Sequence, residues 1–223
     1  MKKNVTIRVM MTILLALVAI AVTIAIVKVN VREIGPQGTS VGFADFNEKM
    51  RDKIGYSESF YKISKYIGYV VLLVAASFAL LGLVQLIKRR SLFKVDANVV
   101  ALGVVYVILA GIYACFEKFV VNYRPLIMEG KSTVEASFPS SHTILVCVIM
   151  GTAIMAWNVL IKNKTAKTAL TIISAILIVA MVVTRVLSGV HWFTDIVAGI
   201  VYSGVLISLY SVMMAMIYNN KND

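Results

Sequence analysis

Residues 168–195 read TALTIISAILIVAMVVTRVLSGVHWFTD, and the fold turns on this stretch. From 168 to 187 it stays apolar over the roughly 20 residues that a helix needs to cross a bilayer. A helix on the surface of a soluble domain would interleave charges on one face, whereas here the first charge waits until the run is ending. Arg185, His191 and Asp195 then follow closely, where the chain leaves one span and enters the next. Working outward, further apolar runs lie at roughly 9–29, 66–87, 97–117, 141–161 and 195–217. The sequence therefore predicts an all-α membrane protein: a six-transmembrane-helix bundle forming a single membrane domain over 1–223, without internal repeat or low-complexity tract.

Composition agrees. Of 223 residues, 60% are hydrophobic and only 15% charged, which is too apolar for an ordinary soluble domain. The 22 Lys and Arg against 11 Asp and Glu give a net charge of +11. They sit in short clusters beside the apolar runs, so membrane topology and anionic headgroups account for them and nucleic acid is not expected as a partner. Cys115 and Cys147 both fall inside apolar runs without metal-ligand spacing and read as small buried hydrophobes. The start resembles a signal peptide, but its apolar core is too long and no small-residue cleavage site follows, so it reads as a retained first span.

The short loops set the orientation. Lys2, Lys3 and Arg8 precede the first span, and Lys88, Arg89, Arg90 and Lys94 join the second to the third. Lys162, Lys164 and Lys167 join the fourth to the fifth, and Lys221 follows the sixth. All lie on one side of an alternating path, which the positive-inside rule makes cytoplasmic, together with both termini. The connections 30–65, 118–140 and 188–194 then face outward. Within the first, Phe43, Phe46, Met50 and Ile54 recur at helical spacing between charges, which suits either an interfacial helix or a solvated linker.

Histidine is scarce: His142 and His191 are the two in the chain, each where an outward loop meets a span. Arg124 and Pro125 follow span three; Pro139, Ser140, Ser141 and His142 open span four; Arg185 ends span five; Asp195 opens span six. A lone ionisable residue at a span end is ordinarily a snorkelling one, but five at one membrane level mark a site at the extracytoplasmic helix ends. Arg124 and Arg185 carry permanent charge in a planar fork that matches phosphate oxygens. Ser140 and Ser141 add hydroxyls, and the backbone N–H groups at the start of span four favour an anion. Four residues apart, His191 and Asp195 would share a helix face, so that the carboxylate takes the proton of one ring nitrogen and leaves the other free to attack phosphorus. His142 could then protonate the leaving oxygen. A metal site built on His142, His191, Asp195 and Glu117 competes, but two arginines beside those ligands repel a cation, so no metal and no cofactor is expected.

At these residues the chain resembles the type 2 phosphatidic acid phosphatase superfamily, the lipid phosphate phosphatases, whose pattern is K-x6-R-P, then P-S-G-H, then S-R-x5-H-x3-D. The matching positions are Arg124-Pro125, Pro139-Ser140-Ser141-His142, and Thr184-Arg185 with His191 and Asp195 at the same spacing. The resemblance covers roughly 97–217. It implies His191 as the nucleophile that forms a phosphohistidine, Asp195 as its support, His142 as the acid, and Arg124 and Arg185 as the phosphate clamp. Ser141 stands for a glycine and Thr184 for a serine. The lysine position holds Glu117, with Lys118 one residue late.

On a regular helix seven residues advance about 700°, so Glu117 would share a face with Arg124 and could hold its guanidinium. A π-bulge would instead return Lys118 to the site. Replacing the lysine by Glu117 would also disfavour diphosphates. The expected function is hydrolysis of a lipid phosphate or diphosphate at the outer face of a bacterial cytoplasmic membrane. Undecaprenyl diphosphate is the first substrate considered, because the site faces outward; phosphatidylglycerol phosphate and phosphatidic acid stand beside it. A lipid phosphotransferase using the same phosphohistidine, and a non-catalytic lipid-phosphate binder or transporter, are the competing readings.

Overall fold

The structure is a computed structural model that describes residues 2–220; Met1 and Lys221, the residue placed after the last span, lie outside the described residues. Its helices are α1 (Lys2–Lys28), α2 (Ala44–Ile54), α3 (Glu58–Arg89), α4 (Ala97–Lys118), α5 (Ser141–Leu160), α6 (Lys164–Ser188) and α7 (Phe193–Asn220), with short 3-10 turns at Pro36–Gly38 and Leu92–Lys94. Six of them, all but α2, are long and apolar enough to cross a membrane. Side chains such as Leu17, Leu73, Val107 and Val179 point outward from the bundle, as lipid-facing groups must when the solvent is hydrocarbon.

α5 is the axial helix and the most enclosed of the six. It packs against α3, α4, α6 and α7, and its buried Val146, Ile149, Met150 and Ala153 join Leu102, Val105, Met181 and Tyr210 in one core. Such close packing of apolar side chains, with no hydrophobic drive between helices in lipid, rests on dispersion and shape. α1 lies along α7 and is tied to it by Thr12 to Ser208 (2.7 Å), Thr23 to Tyr202 (2.9 Å) and a short contact of Arg8 with Ser211.

Of the two readings of the connection 30–65, the structure has the helix, and α3 begins earlier than expected. The connection 30–65 contains helix α2, whose Ala44 and Asn47 are buried against the start of α7, and also the first two turns of α3. At 32 residues α3 is about 48 Å long, well beyond the ~30 Å hydrocarbon core, so its N-terminal turns stand over the membrane surface. Gly189 fixes them in place. It closes α6 at φ +65°, and a side chain there would meet the Gly55 carbonyl oxygen at 2.0 Å. Beside it the Ser57 N–H donates to the Ser188 carbonyl (3.2 Å). Cys147 is buried as expected, whereas Cys115 is exposed on the outer side of α4.

Candidate phosphate site at the helix ends

The loop 119–140 leaves α4, crosses the bundle end and returns to start α5. It is pinned by backbone pairs: Arg124 N–H to the Glu135 carbonyl (3.0 Å) and Ser137 N–H to the Asn122 carbonyl (2.8 Å). The Trp192 indole N–H donates to the Tyr123 carbonyl (2.7 Å), joining the loop to the segment that carries His191. The Ser140 N–H donates to the Asp195 carbonyl (3.0 Å), which locks the start of α5 to the first turn of α7.

His191 sits between α6 and α7, two residues before α7 begins, so it does not share a helix face with Asp195 as the spacing alone suggests. The two are linked through Ser137. The Ser137 hydroxyl donates to Asp195 Oδ2 (2.6 Å) and, having one proton, must accept from His191 Nδ1 (2.9 Å). The same Nδ1 lies 3.1 Å from the Ser137 carbonyl oxygen, which can only accept. Nδ1 therefore carries the ring proton, and Nε2 keeps its lone pair. Asp195 is further held by the Asn122 amide (2.9 Å to Oδ1) and by the Trp192 N–H (3.3 Å to Oδ2), the latter being the reach-back of a helix N3 carboxylate to its cap residue.

His191 is buried, and its pKa is pushed well below 6.5, first by burial and then by the Arg185, Arg124 and His142 charges that face it. The ring is thus neutral. Its Nε2, together with Arg185 Nε and Nη2 and Arg124 Nε, is buried without a hydrogen-bond partner. Arg185 is fully enclosed, with its Nη1 donating to Ser64 Oγ of α3 (3.2 Å) and its guanidinium 5.8 Å from the Tyr61 ring centre. Buried polar groups are otherwise nearly always satisfied, so two unmet Arg185 nitrogens and a bare imidazole nitrogen, with the Arg124 guanidinium acting on the same ring, can cradle a tetrahedral oxyanion.

His142 stands on the first turn of α5, surrounded by the charges of Arg185, Arg124 and Lys65. α5 starts at Ser141, so the first-turn N–H groups of Ser141 and His142 have no carbonyl within the helix. Ser140 is buried and accepts from the Thr143 hydroxyl (2.9 Å), which makes it part of the joint between α5 and α7. Arg124, Arg185, His142, His191 and Asp195 are therefore gathered at one place. Among the described residues no set of three His, Cys, Asp or Glu is arranged to hold a metal ion.

Glu117 and Lys118 do not reach Arg124 by either route that the spacing suggests. α4 ends at Lys118 and Phe119 is already non-helical, so neither the shared helix face with Arg124 nor a π-bulge exists. Both side chains are exposed, and the Lys118 ammonium lies over the Phe119 ring. The carboxylate facing Arg124 is instead Glu135, at 3.3 Å from Nε, with Lys131 on its other side. Ser137 and Asn122 carry no signal of their own in the sequence, although each stands two residues before a motif residue.

No curated protein sequence matches this chain. Among solved structures, the crystal structure of the first transmembrane PAP2 type phosphatidylglycerolphosphate phosphatase from Bacillus subtilis superposes with a TM-score of 0.67 at 16% identity, covering 93% of this chain and 97% of that one. At that identity the likeness speaks for the fold. The sequence pattern of the PAP2 superfamily matches residues 100–219, from α4 through α7, and takes in all three motifs. More than half of the chain thus carries that pattern, and the protein belongs to the PAP2 superfamily.

Proposed function

We propose that this protein is a membrane lipid phosphate phosphatase that works through a phosphohistidine on His191 and needs no metal. The observation that carries the proposal is the unpartnered His191 Nε2 together with the two unmet nitrogens of Arg185, whose charge acts on that ring. Nε2 attacks phosphorus, the bond from phosphorus to the lipid-side oxygen breaks, and that oxygen takes a proton from His142. Water then gives a proton back to His142 and attacks the phosphohistidine, releasing phosphate and neutral His191. The guanidinium groups supply the charge neutralisation that a phosphoryl transfer chiefly requires.

The orientation follows from charge. Lys88, Arg89, Arg90 and Lys94, with Lys162, Lys164 and Lys167, lie in the α3–α4 and α5–α6 turns and the helix ends that flank them, opposite the site. That end is cytoplasmic by the positive-inside rule, and the site faces outward. Glu117 is exposed beyond the helix face it was to share with Arg124, so its charge no longer argues strongly against a diphosphate, and a polyprenyl diphosphate such as undecaprenyl diphosphate stands first. Phosphatidylglycerol phosphate, the substrate named for the Bacillus protein, stands second.

The test is purified protein in detergent with chelator present, offered a polyprenyl diphosphate, phosphatidylglycerol phosphate and phosphatidic acid. Free phosphate should appear from at least one. An acid-labile phosphoprotein should be trapped on quenching, and His191→Ala should remove both signals. Phosphate release that persists in His191→Ala, or that requires added divalent cation, would overturn the mechanism.

A further inference from the structure

The wall of the site opposite the motifs is the start of α3. Tyr61, Ser64, Lys65 and Gly68 fall at helical spacing on one face of it. Two of them meet Arg185 and two face His142. Tyr61 lies under the Arg185 guanidinium, and Ser64 accepts from Arg185 Nη1. A side chain at Gly68 would stand 3.3 Å from His142 Cδ2 and 3.8 Å from His142 Nε2, so the missing Cβ leaves the imidazole edge of His142 clear. Lys65 is a half-buried ammonium 5.6 Å from the centre of the same Tyr61 ring, and it acts electrostatically on His142.

Among the described residues no carboxylate lies within ion-pair distance of Lys65, whereas its neighbour Lys62 is paired with Glu58 at 2.6 Å on the outer face of the helix. A half-buried cation without an anion, next to an anion site, is a group waiting for ligand charge. Helical side chains lean toward the N-terminus, so Lys65 stands about one turn outward from Gly68 and His142, toward the membrane surface. His142 is where the leaving oxygen departs in the mechanism above. Lys65 acts on His142 and not on His191, so it stands on the leaving-group side of the site.

We propose that Lys65 binds the leaving-group phosphate of a lipid diphosphate, and that the α3 face makes this site selective for diphosphates over monoesters. The proposal rests on the phosphatase reading for the direction of the leaving group. In the step it serves, His191 Nε2 bonds to the terminal phosphorus, the bond from that phosphorus to the bridging oxygen breaks, and the bridging oxygen takes the His142 proton. The departing lipid monophosphate carries the negative charge that Lys65 pairs with. A monoester's leaving group is an alcohol at this position and offers Lys65 no such partner. Lys65 thus supplies, from a different helix, a cation that the Arg124 motif lacks because Glu117 stands at its lysine position.

The test uses the full chain in detergent, comparing wild type with Lys65→Gln, Lys65→Arg and the control Lys62→Gln. Binding of methylenediphosphonate and of inorganic phosphate is measured by calorimetry, alongside kcat/KM on a polyprenyl diphosphate and a lipid monophosphate. Lys65→Gln should weaken methylenediphosphonate about tenfold and phosphate less than about threefold, with diphosphate turnover falling in parallel. Lys65→Arg should retain most of the preference, and Lys62→Gln should leave all four readouts unchanged. Equal losses for both ligands, no loss for either, or no binding of methylenediphosphonate to wild type would overturn the assignment. The two proposals fail separately. Selective loss of methylenediphosphonate binding in a protein that hydrolyses nothing would retire the phosphatase and keep Lys65, while turnover that ignores Lys65 would do the reverse.

Discussion

The two walls of the site differ in how their polar groups are satisfied. Behind His191, the loop 119–140 and the first turn of α7 form a braced network in which Ser137, Asn122, Asp195 and the Trp192 backbone answer one another within 3.3 Å. Across from it, α3 contributes Ser64 to Arg185 and then leaves Lys65 without an acid. A braced wall suits a nucleophile that must be aimed before substrate arrives, because the hydrogen bonds of its backing group persist through the reaction. An unpaired cation suits a group whose partner comes with the substrate. On the proposed reading the first wall would set rate, and the second which lipid is accepted.

The largest effect that sharpens this contrast is expected at Ser137. Ser137→Ala removes the hydroxyl between His191 Nδ1 and Asp195 Oδ2, leaving the buried carboxylate short of a donor. An unmet buried partner costs about 1–3 kcal/mol, so kcat should fall roughly 5- to 150-fold. KM should hardly move, because Ser137 aims the nucleophile from behind and leaves the phosphate clamp intact. The phosphoenzyme should form more slowly in quenched-flow traces while its hydrolysis products stay the same. A raised KM with normal kcat would mean that the loop itself had shifted.

Acid pH probes the same wall. His191 is held neutral by burial and by the Arg185 charge, so its pKa in the folded protein lies well below the 6.5 of the unfolded chain. Below pH 6.5 the unfolded chain binds a proton that the native site refuses, and stability falls as pH falls, until the folded pKa is reached. The slope from one such proton is at most about 1.4 kcal/mol per pH unit. Thermal unfolding in detergent between pH 7 and pH 5 should show a steeper loss for wild type than for His191→Gln. Parallel curves would show that His191 is no longer the group that resists protonation.

A smaller effect is expected at Glu135. Its carboxylate sits 3.3 Å from Arg124 Nε and is shared with Lys131, and the pair is partly exposed. Such bridges are worth roughly 0.2–1 kcal/mol, so freeing Arg124 by Glu135→Gln should change lipid KM by no more than about fivefold, in the direction of tighter phosphate binding. Weaker binding would mean that Glu135 positions the guanidinium for substrate.

Much of this was legible in the sequence, and the gaps have physical reasons. Spans announce themselves because hydrocarbon admits no charge over their length, and the five ionisable residues stood out for breaking that rule at the span ends. Ser137 and Asn122 gave no such signal, being small polar residues in a loop without periodicity; their roles exist only once the loop folds onto α7. The first turns of α3 were hidden by Glu58, Lys62 and Lys65, which lower the local hydropathy although the residues are helical. The spacing of Tyr61, Ser64, Lys65 and Gly68 was nevertheless available to be read.

The shared helix face of Glu117 and Arg124 fails for a reason the chain also contains. Placing Glu117 beside Arg124 assumed that helix α4 continues for seven more residues, yet Arg124 precedes Pro125, and the proline ring disfavours helical dihedrals in the residue before it. The helix in fact ends at Lys118, and the six residues to Arg124 run as loop. Glu117 and Lys118 are left at an exposed helix end, where Glu117 acts on Tyr113. Glu117→Gln and Lys118→Ala should therefore each leave kcat/KM on diphosphate and monophosphate within about twofold of wild type, as surface substitutions away from a site generally do. Glu117→Lys should not shift the preference toward diphosphates either, which sets it against Lys65→Gln measured on the same substrates. If Glu117→Lys did alter that preference, the charge of the α4 end would reach the substrate, and the contrast between a braced wall and a substrate-reading α3 wall would have to be redrawn to include it.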